Sequence, residues 1–197
     1  MEKIKTDDAR TRLQNAAVAL FAEQGYDRTT AAGIAARAGV TERTFFRHFP
    51  DKREVLFDGG SLLSTALAGS IAGMPDGLAP LAMLFRAFHA VLPLLEANRA
   101  ASKPRHDVIA STPALREREV AKHEAMAVSL AAALRARGVA ALPADLAARA
   151  GMAAFVHAAV AWLNDESVSL GAQLDLAQRE LETLLTGGCD GPQPGKS

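Results

Sequence analysis

Residues 28–57 read RTTAAGIAARAGVTERTFFRHFPDKREVLF, and the punctuation of this stretch decides the fold. Thr30 stands where an N-cap belongs and predicts a short helix over 31–38, with Gly39 as its stop. Thr41 repeats the signal for a second short helix over 42–49, which Pro50 ends. Two short helices about the tight turn Gly39-Val40-Thr41 make a helix-turn-helix. At about 100° per residue, Phe45 and Phe49 share one stripe of the second helix. Arg43, Thr44 and Arg47 lie roughly opposite, and Phe46 lies on the flank. Asp51 and Glu54 have capping-box spacing and predict a longer helix running to about Ala72.

Outward from this core the pattern stays helical. A helix over 8–24 buries Leu13, Ala16, Ala17, Leu20 and Phe21 on one stripe, and Gly25 supplies its left-handed cap. The run Gly73-Met74-Pro75-Asp76-Gly77 is a turn. A helix over 78–98 follows, then a break containing Pro104 with a short helical piece to Ala110. Thr112 with Pro113 at the first helical position starts a helix to Arg137. Pro143 starts another to Asn164, and the last spans 170–186. The expectation is an all-α chain of about nine helices with no sheet.

Composition narrows the class. The 197 residues carry 22 Lys+Arg against 22 Asp+Glu, which argues against a polybasic protein but not against a local patch. From Thr41 to Arg53, four basic residues (Arg43, Arg47, Lys52, Arg53) face two acids (Glu42, Asp51). The single cysteine, Cys189, excludes a disulfide framework and a cysteine-based zinc site. The charged start lacks the apolar core of a signal peptide. The most apolar stretch, 152–163, is broken by His157 and is shorter than the ~20 residues that span a bilayer. A cytoplasmic protein with no membrane association is expected.

In a helix-turn-helix the second helix enters the DNA major groove while the first crosses the backbone. Arginine suits that place because it grips guanine O6/N7 bidentately or a phosphate oxygen. The candidate DNA-binding residues are Thr30, Thr41, Arg43, Thr44, Phe46, Arg47, His48 and Lys52. Lys52 is read as a phosphate contact at the start of the following helix. Arg43 and Arg47 could also be solvated helix charges, and Thr41 could be a cap alone.

The positions Ala16-Ala17, Leu20-Phe21, Gly25-Tyr26, Thr29-Thr30, Ile34-Ala35, Ala38-Gly39-Val40-Thr41, Phe46-Arg47-His48-Phe49 and Lys52 resemble the N-terminal domain of the TetR family of transcriptional regulators, over about residues 10–57. Phe46 departs from the tyrosine usual there, which removes a hydroxyl that could donate to phosphate. The resemblance implies a nine-helix homodimer, with a helix-turn-helix domain over 1–50 and a ligand-binding and dimerisation domain over 51–186. A flexible tail would occupy 187–197. It also implies a dimer interface built from the last two helices. Arginine supplies 16 of the 22 basic residues and alanine abounds, which fits a GC-rich bacterial genome.

The resulting expectation is a bacterial, dimeric repressor that binds a pseudo-palindromic duplex operator and leaves it when a small-molecule effector binds. An activator or architectural DNA-binding protein without a physiological ligand is the alternative. An enzyme with a DNA-binding head is a third class, for which the C-terminal region supplies few convergent polar groups. No catalytic residue, cofactor or metal site is expected, because the histidines stand on separate helices without ligand spacing. Met83, Phe85, Phe88, His89, Met126, Phe155 and Trp162 are candidate pocket residues, although at helical spacing they also read as core. Gly151, Ala154, Ala158 and Ala161, with Leu174, Ala177, Leu181, Leu184 and Leu185, are expected at the dimer interface. Gly59-Gly60 is read as a compliant point inside the helix joining the two domains.

Overall fold

The computed structural model describes residues 2–187. Among them stand nine α-helices and no strand: α1 (Glu2–Gln24), α2 (Ala31–Arg37), α3 (Glu42–His48), α4 (Gly60–Ala72), α5 (Pro80–Ala97), α6 (Arg99–Ser111), α7 (Pro113–Ala136), α8 (Ala141–Asn164) and α9 (Leu170–Leu185). One 3-10 turn, Glu54–Leu56, lies between α3 and α4. The all-α expectation holds. The expected tail, Cys189 included, lies outside the described residues apart from Gly187.

The caps form as their residue types require. Thr30 and Thr41 are extended and accept from the N–H groups of Gly33 and Thr44. After α2 the Gly39 N–H donates to Ala36 and the Val40 N–H to Ala35, each across 3.0–3.1 Å. This is a Schellman closure, and Gly39 accommodates its left-handed step at φ +67°.

Four expected boundaries are corrected. The helix expected from Asp51 to Ala72 is not continuous. Asp51 Oδ1 does accept from the N–H groups of Arg53 (2.7 Å) and Glu54 (3.1 Å). The reciprocal half of the box is absent, however, because the Glu54 carboxylate is taken by Arg118 and Lys122. The turn it opens ends at Leu56, and Gly59 at φ +93° separates it from α4. Gly59-Gly60 is therefore a helix junction and not a weak point inside a helix. Second, Pro104 does not break the chain but lies within α6. Burial of Val108 and Ile109 and the Arg105 hydrogen bond to the Leu56 carbonyl hold that helix against the lost N–H. Third, α8 starts at Ala141, ahead of Pro143, and fourth, α1 starts at Glu2. These helices also correct the membrane reading: Glu54–Ala72, Pro80–Ala97 and Ala141–Asn164 are long and apolar enough to cross a bilayer by length and composition. The first of them is interrupted at Gly59, and the other two bury one face in protein.

Contacts divide the chain into two compact units, one of residues up to 63 with 97–123, the other of 64–96 with those from 124 on. These units differ from the segments 1–50 and 51–186, since α6 and the first half of α7 belong with the helix-turn-helix. Leu13, Ala17 and Phe21 of α1, Ile34 of α2, and Phe45 and Phe49 of α3 form the first core. Leu56, Ile109 and Leu115 join it from the turn, α6 and α7.

In the second unit α5 buries Leu84, Phe85 and Phe88. A Cβ at Gly151 of α8 would stand 3.0 Å from Leu84 Cδ1, so glycine permits this close approach. Gly151, Ala158 and Leu174, expected to face a partner copy, are thus buried inside the subunit. The α8–α9 pair is capped by Ser169, which accepts from the Ala172 N–H at 3.1 Å, and by Glu96, which accepts from the Leu170 N–H at 3.2 Å.

The junction generates a prediction. Gly59→Ala forces a left-handed alanine and lowers stability by about 1–2 kcal/mol. Gly60→Ala meets nothing within 4 Å and has ordinary backbone angles, so it gains about 0.4–1 kcal/mol. Urea unfolding of the two single variants gives opposite signs if the junction is as described, and the same sign if both glycines are helix interior.

Candidate nucleic-acid interface

The helix α3 offers one buried and one open face. Phe45 is fully buried, and its ring meets Phe49 at 5.8 Å and the edge of Phe46 at 5.3 Å. Arg43 and Arg47 are exposed and make no hydrogen bond or ion pair with other described residues. Phe46 is 52% exposed between them, the most open aromatic of the unit. The Thr41 hydroxyl caps the helix and shares a hydrogen bond with the Thr44 hydroxyl at 3.0 Å. One open surface therefore brings together Thr41, Arg43, Phe46 and Arg47, with Thr44 half-buried beside them. Thr30 stands exposed at the start of α2.

The other arginines between residues 9 and 58 are engaged. Arg37 forks onto Glu23 of α1 at 2.7 and 2.9 Å, and Arg53 pairs with Asp51 at 3.0 Å. Arg12 donates to the Ala38 carbonyl at 2.9 Å, and Arg28 to the Gln24 carbonyl at 2.6 Å. Arg10 forks onto Asp58 and lies over the Phe49 ring, 5.2 Å from its centroid. The neutral whole-chain charge conceals this division between structural and uncommitted guanidiniums.

His48 is half-buried at the end of α3, and its Nε2 has no hydrogen-bond partner. Burial, then the nearby Arg47 and Arg10, lower its pKa below the usual imidazole value, against a smaller opposite pull from Asp58. The neutral ring is therefore favoured, which suits packing better than phosphate binding.

Lys52 departs most from its expected role. Its ammonium donates to the Tyr26 carbonyl at 2.8 Å and the Thr29 carbonyl at 2.9 Å, and sits 4.1 Å from the Tyr26 ring centroid. No regular helix starts at Lys52, so the helix-terminus argument for phosphate there falls away. Lys52 ties the loop between α1 and α2 to the turn after α3. Thr29 completes this loop: wholly buried, it donates to the Gly25 carbonyl at 2.9 Å and accepts from Gln24 at 3.2 Å. Replacing Lys52 by Met should cost about 1–3 kcal/mol, because two partly buried carbonyls lose a charged donor. Hydrogen exchange should accelerate at residues 25–30 in the absence of any DNA. Unchanged exchange there would return Lys52 to the surface role.

The pocket candidates are mostly packed together. Phe88 stacks on Phe155 at 4.6 Å and meets Phe85 edge-on at 6.0 Å. Met83 and Trp162 are buried, and Met126 is half-buried. His89 pairs with Asp175 of α9 at 3.0 Å. Among the described residues, no three of His, Cys, Asp and Glu gather where a metal ion could be held.

Comparison with known proteins locates this geometry. Residues 13–58 match the family model described as bacterial regulatory proteins, tetR family. The transcriptional regulator TcmR of Streptomyces glaucescens is 41% identical over 83 residues, which cover 42% of this chain and 37% of TcmR. The aligned segment thus spans little more than a third of that relative. Over 95% of this chain, and the whole of the other, the fold matches a Thermus thermophilus FadR, a TetR-family repressor solved with lauroyl-CoA. The identity is 26% and the TM-score 0.57. A SmeT–triclosan complex matches with a TM-score of 0.60 at 21% identity, covering 96% of this chain and 99% of the other. The uncommitted arginine pair thus lies on the second helix of a helix-turn-helix whose residues 13–58 match the tetR family of bacterial regulatory proteins, and the helices beyond it share the fold of solved TetR-family structures.

Proposed function

We propose that this chain is a homodimeric repressor whose α3 helices read the two half-sites of a pseudo-palindromic duplex operator. The observation that carries it is the open face of α3, where Arg43 and Arg47 are left uncommitted while the arginines around them are paired. In this reading Arg43 and Arg47 contact bases or phosphates, and Phe46 packs on sugar or a thymine methyl. Thr30, Thr41 and Thr44 offer hydroxyls to phosphate from the helix starts, and His48 supports the end of the helix. Lys52 positions the loop and has a third N–H left for phosphate. The working place of such a protein is the cytoplasm, with the DNA.

Dimerisation is supported by the outward face of α8 and α9. There Ala153, Ala154, Leu176, Leu181 and Leu184 line an open groove of about 450 Å³, in which His157, Gln173 and Glu180 are the polar members. Leu146, Leu184 and Leu185 are 59%, 74% and 63% exposed on these two helices. Exposed leucines gathered on adjacent helices mark a surface meant to be covered. A second copy related by a two-fold axis would cover it and set two heads ~34–36 Å apart, or a small multiple of that.

Release by a small molecule is the regulatory half of the proposal. It is supported by the likeness to FadR solved with lauroyl-CoA and SmeT solved with triclosan. The close stacking of Phe85, Phe88 and Phe155 favours a second reading, a DNA-binding regulator with no physiological ligand. Native mass spectrometry of the purified chain tests the first: a retained small molecule whose addition to the bare protein releases a selected duplex supports it, and a retained molecule that leaves duplex affinity unchanged counts against it.

Two outcomes are expected. Arg43→Ala and Arg47→Ala each weaken binding to a selected duplex, by ~1–3 kcal/mol for whichever reads a base, with unchanged circular dichroism. Full affinity in both variants would remove α3 as the reader. Leu176→Glu with Leu184→Glu converts a dimer to a monomer in light scattering at micromolar concentration. A wild-type monomer, or a variant that stays dimeric, would move or abolish the interface.

A further inference from the structure

The segment after α3 is gripped from three sides within the first unit. Arg10 and Gln14 of α1 hold Asp58, Gln14 Nε2 at 3.1 Å. Arg105 of α6 donates to the Leu56 carbonyl at 2.8 Å. Glu54 receives Arg118 Nε on one oxygen at 2.6 Å and Lys122 Nζ on the other at 3.1 Å. Both cations come from α7, one turn apart on the same face. The Glu54 side chain is 18% exposed, more enclosed than either cation. Burial opposes its ionisation, yet the hydrogen bonds and charges of Arg118 and Lys122 outweigh it and hold the carboxyl below its usual range.

Beneath these bonds, Val55, Leu56 and Phe57 are buried in the same core as Val108, Ile109 and Leu115. The backbone immediately following the reading helix is thus fixed, by apolar burial and by charge, to α6 and α7. Of these, α7 continues unbroken to Ala136, and its residues beyond His123 belong to the second unit, where Ala127, Leu130, Ala131 and Leu134 are buried. The junction with α4, by contrast, passes through Gly59, a left-handed residue with nothing within 4 Å of where a Cβ would stand.

We infer that α7 is the arm that positions the reading helix, and that Glu54, clasped by Arg118 and Lys122, is the pin through which its displacements reach α3. Glu54 touches no DNA in this scheme and is a positioning residue. The role presupposes that α3 reads DNA. The helix α7 runs through both units with no glycine in it.

The test uses the full chain and hydrogen exchange, with a duplex that the wild type selects from a randomised pool. Glu54→Gln keeps the shape of the side chain and removes its charge. Exchange at residues 42–48 should rise about 5-fold in the free protein while that at 64–96 stays unchanged. The selected duplex should slow exchange at 124–136 in the wild type, and this remote response should vanish in Glu54→Gln. Glu117→Gln, an exposed neighbour on α7, should behave as wild type. Unchanged exchange at 42–48 in the variant, or a duplex response at 124–136 that survives it, overturns the inference. Should Glu54→Gln not fold, Arg118→Met removes the other half of the clasp from a more exposed position and is read in the same way. A pool from which the wild type enriches nothing refutes the DNA-reading assignment instead, and exchange at 42–48 in the free variants then decides the clasp by itself.

Discussion

A helix of seven residues has no stability of its own in water, since nucleation is costly and only its last few N–H groups can close bonds within it. The helix α3 exists because Phe45 and Phe49 are buried to 0% and 2% exposure against α1 and α2, with Thr41 satisfying its first turn. That burial has a geometric consequence. With one face committed to the core, the opposite face must look outward, and its residues are Arg43, Phe46 and Arg47. The stability and the chemistry of the interface are therefore two sides of one packing decision, and α1, α2 and the turn after α3 are arranged around it.

Charge is divided by the same logic. Arginines that hold the head together are saturated: Arg37 on Glu23, Arg53 on Asp51, Arg10 on Asp58, Arg12 on the end of α2. Isolated exposed ion pairs contribute little stability each, but here they remove cations from competition for an anionic ligand. Between residues 9 and 58 the arginines left uncommitted, Arg43 and Arg47, lie on one helix. Electrostatic attraction for DNA can then be local and oriented although the whole chain is neutral.

The head is larger than the motif that identifies it. The helices α6 and α7 contribute Val108, Ile109 and Leu115 to its core, and Arg105, Arg118 and Lys122 to the segment that leaves α3. A helix shared by two compact units is a natural carrier of coupling, because it shifts or rotates as a body where a left-handed glycine joint does not.

Much of this was legible in the chain itself. The caps Thr30 and Thr41, the stops Gly25 and Gly39, and the spacing of Phe45 and Phe49 are local features, set by backbone sterics and by which face of a helix can shed water, and so they read directly from residue order. The interruption at Gly59 was not legible, because a capping box and a glycine pair are equally compatible with a continuous helix. The role of Lys52 was hidden because its partners are the carbonyls of Tyr26 and Thr29, and a backbone carbonyl leaves no mark on residue type. Gly151 was misassigned for a related reason: a small residue announces a close approach but not which helix approaches. The clasp on Glu54 joins residues 64 and 68 positions apart (54 to 118 and 54 to 122), a separation over which no periodicity carries information. Sequence by itself determined the all-α class, the ends of α2 and α3 and the open face of α3, since each follows from interactions within a turn or two. Tertiary structure alone decided which cations are committed and which helices accompany the head, since ion pairs and core contacts depend on distances in space that chain order does not encode.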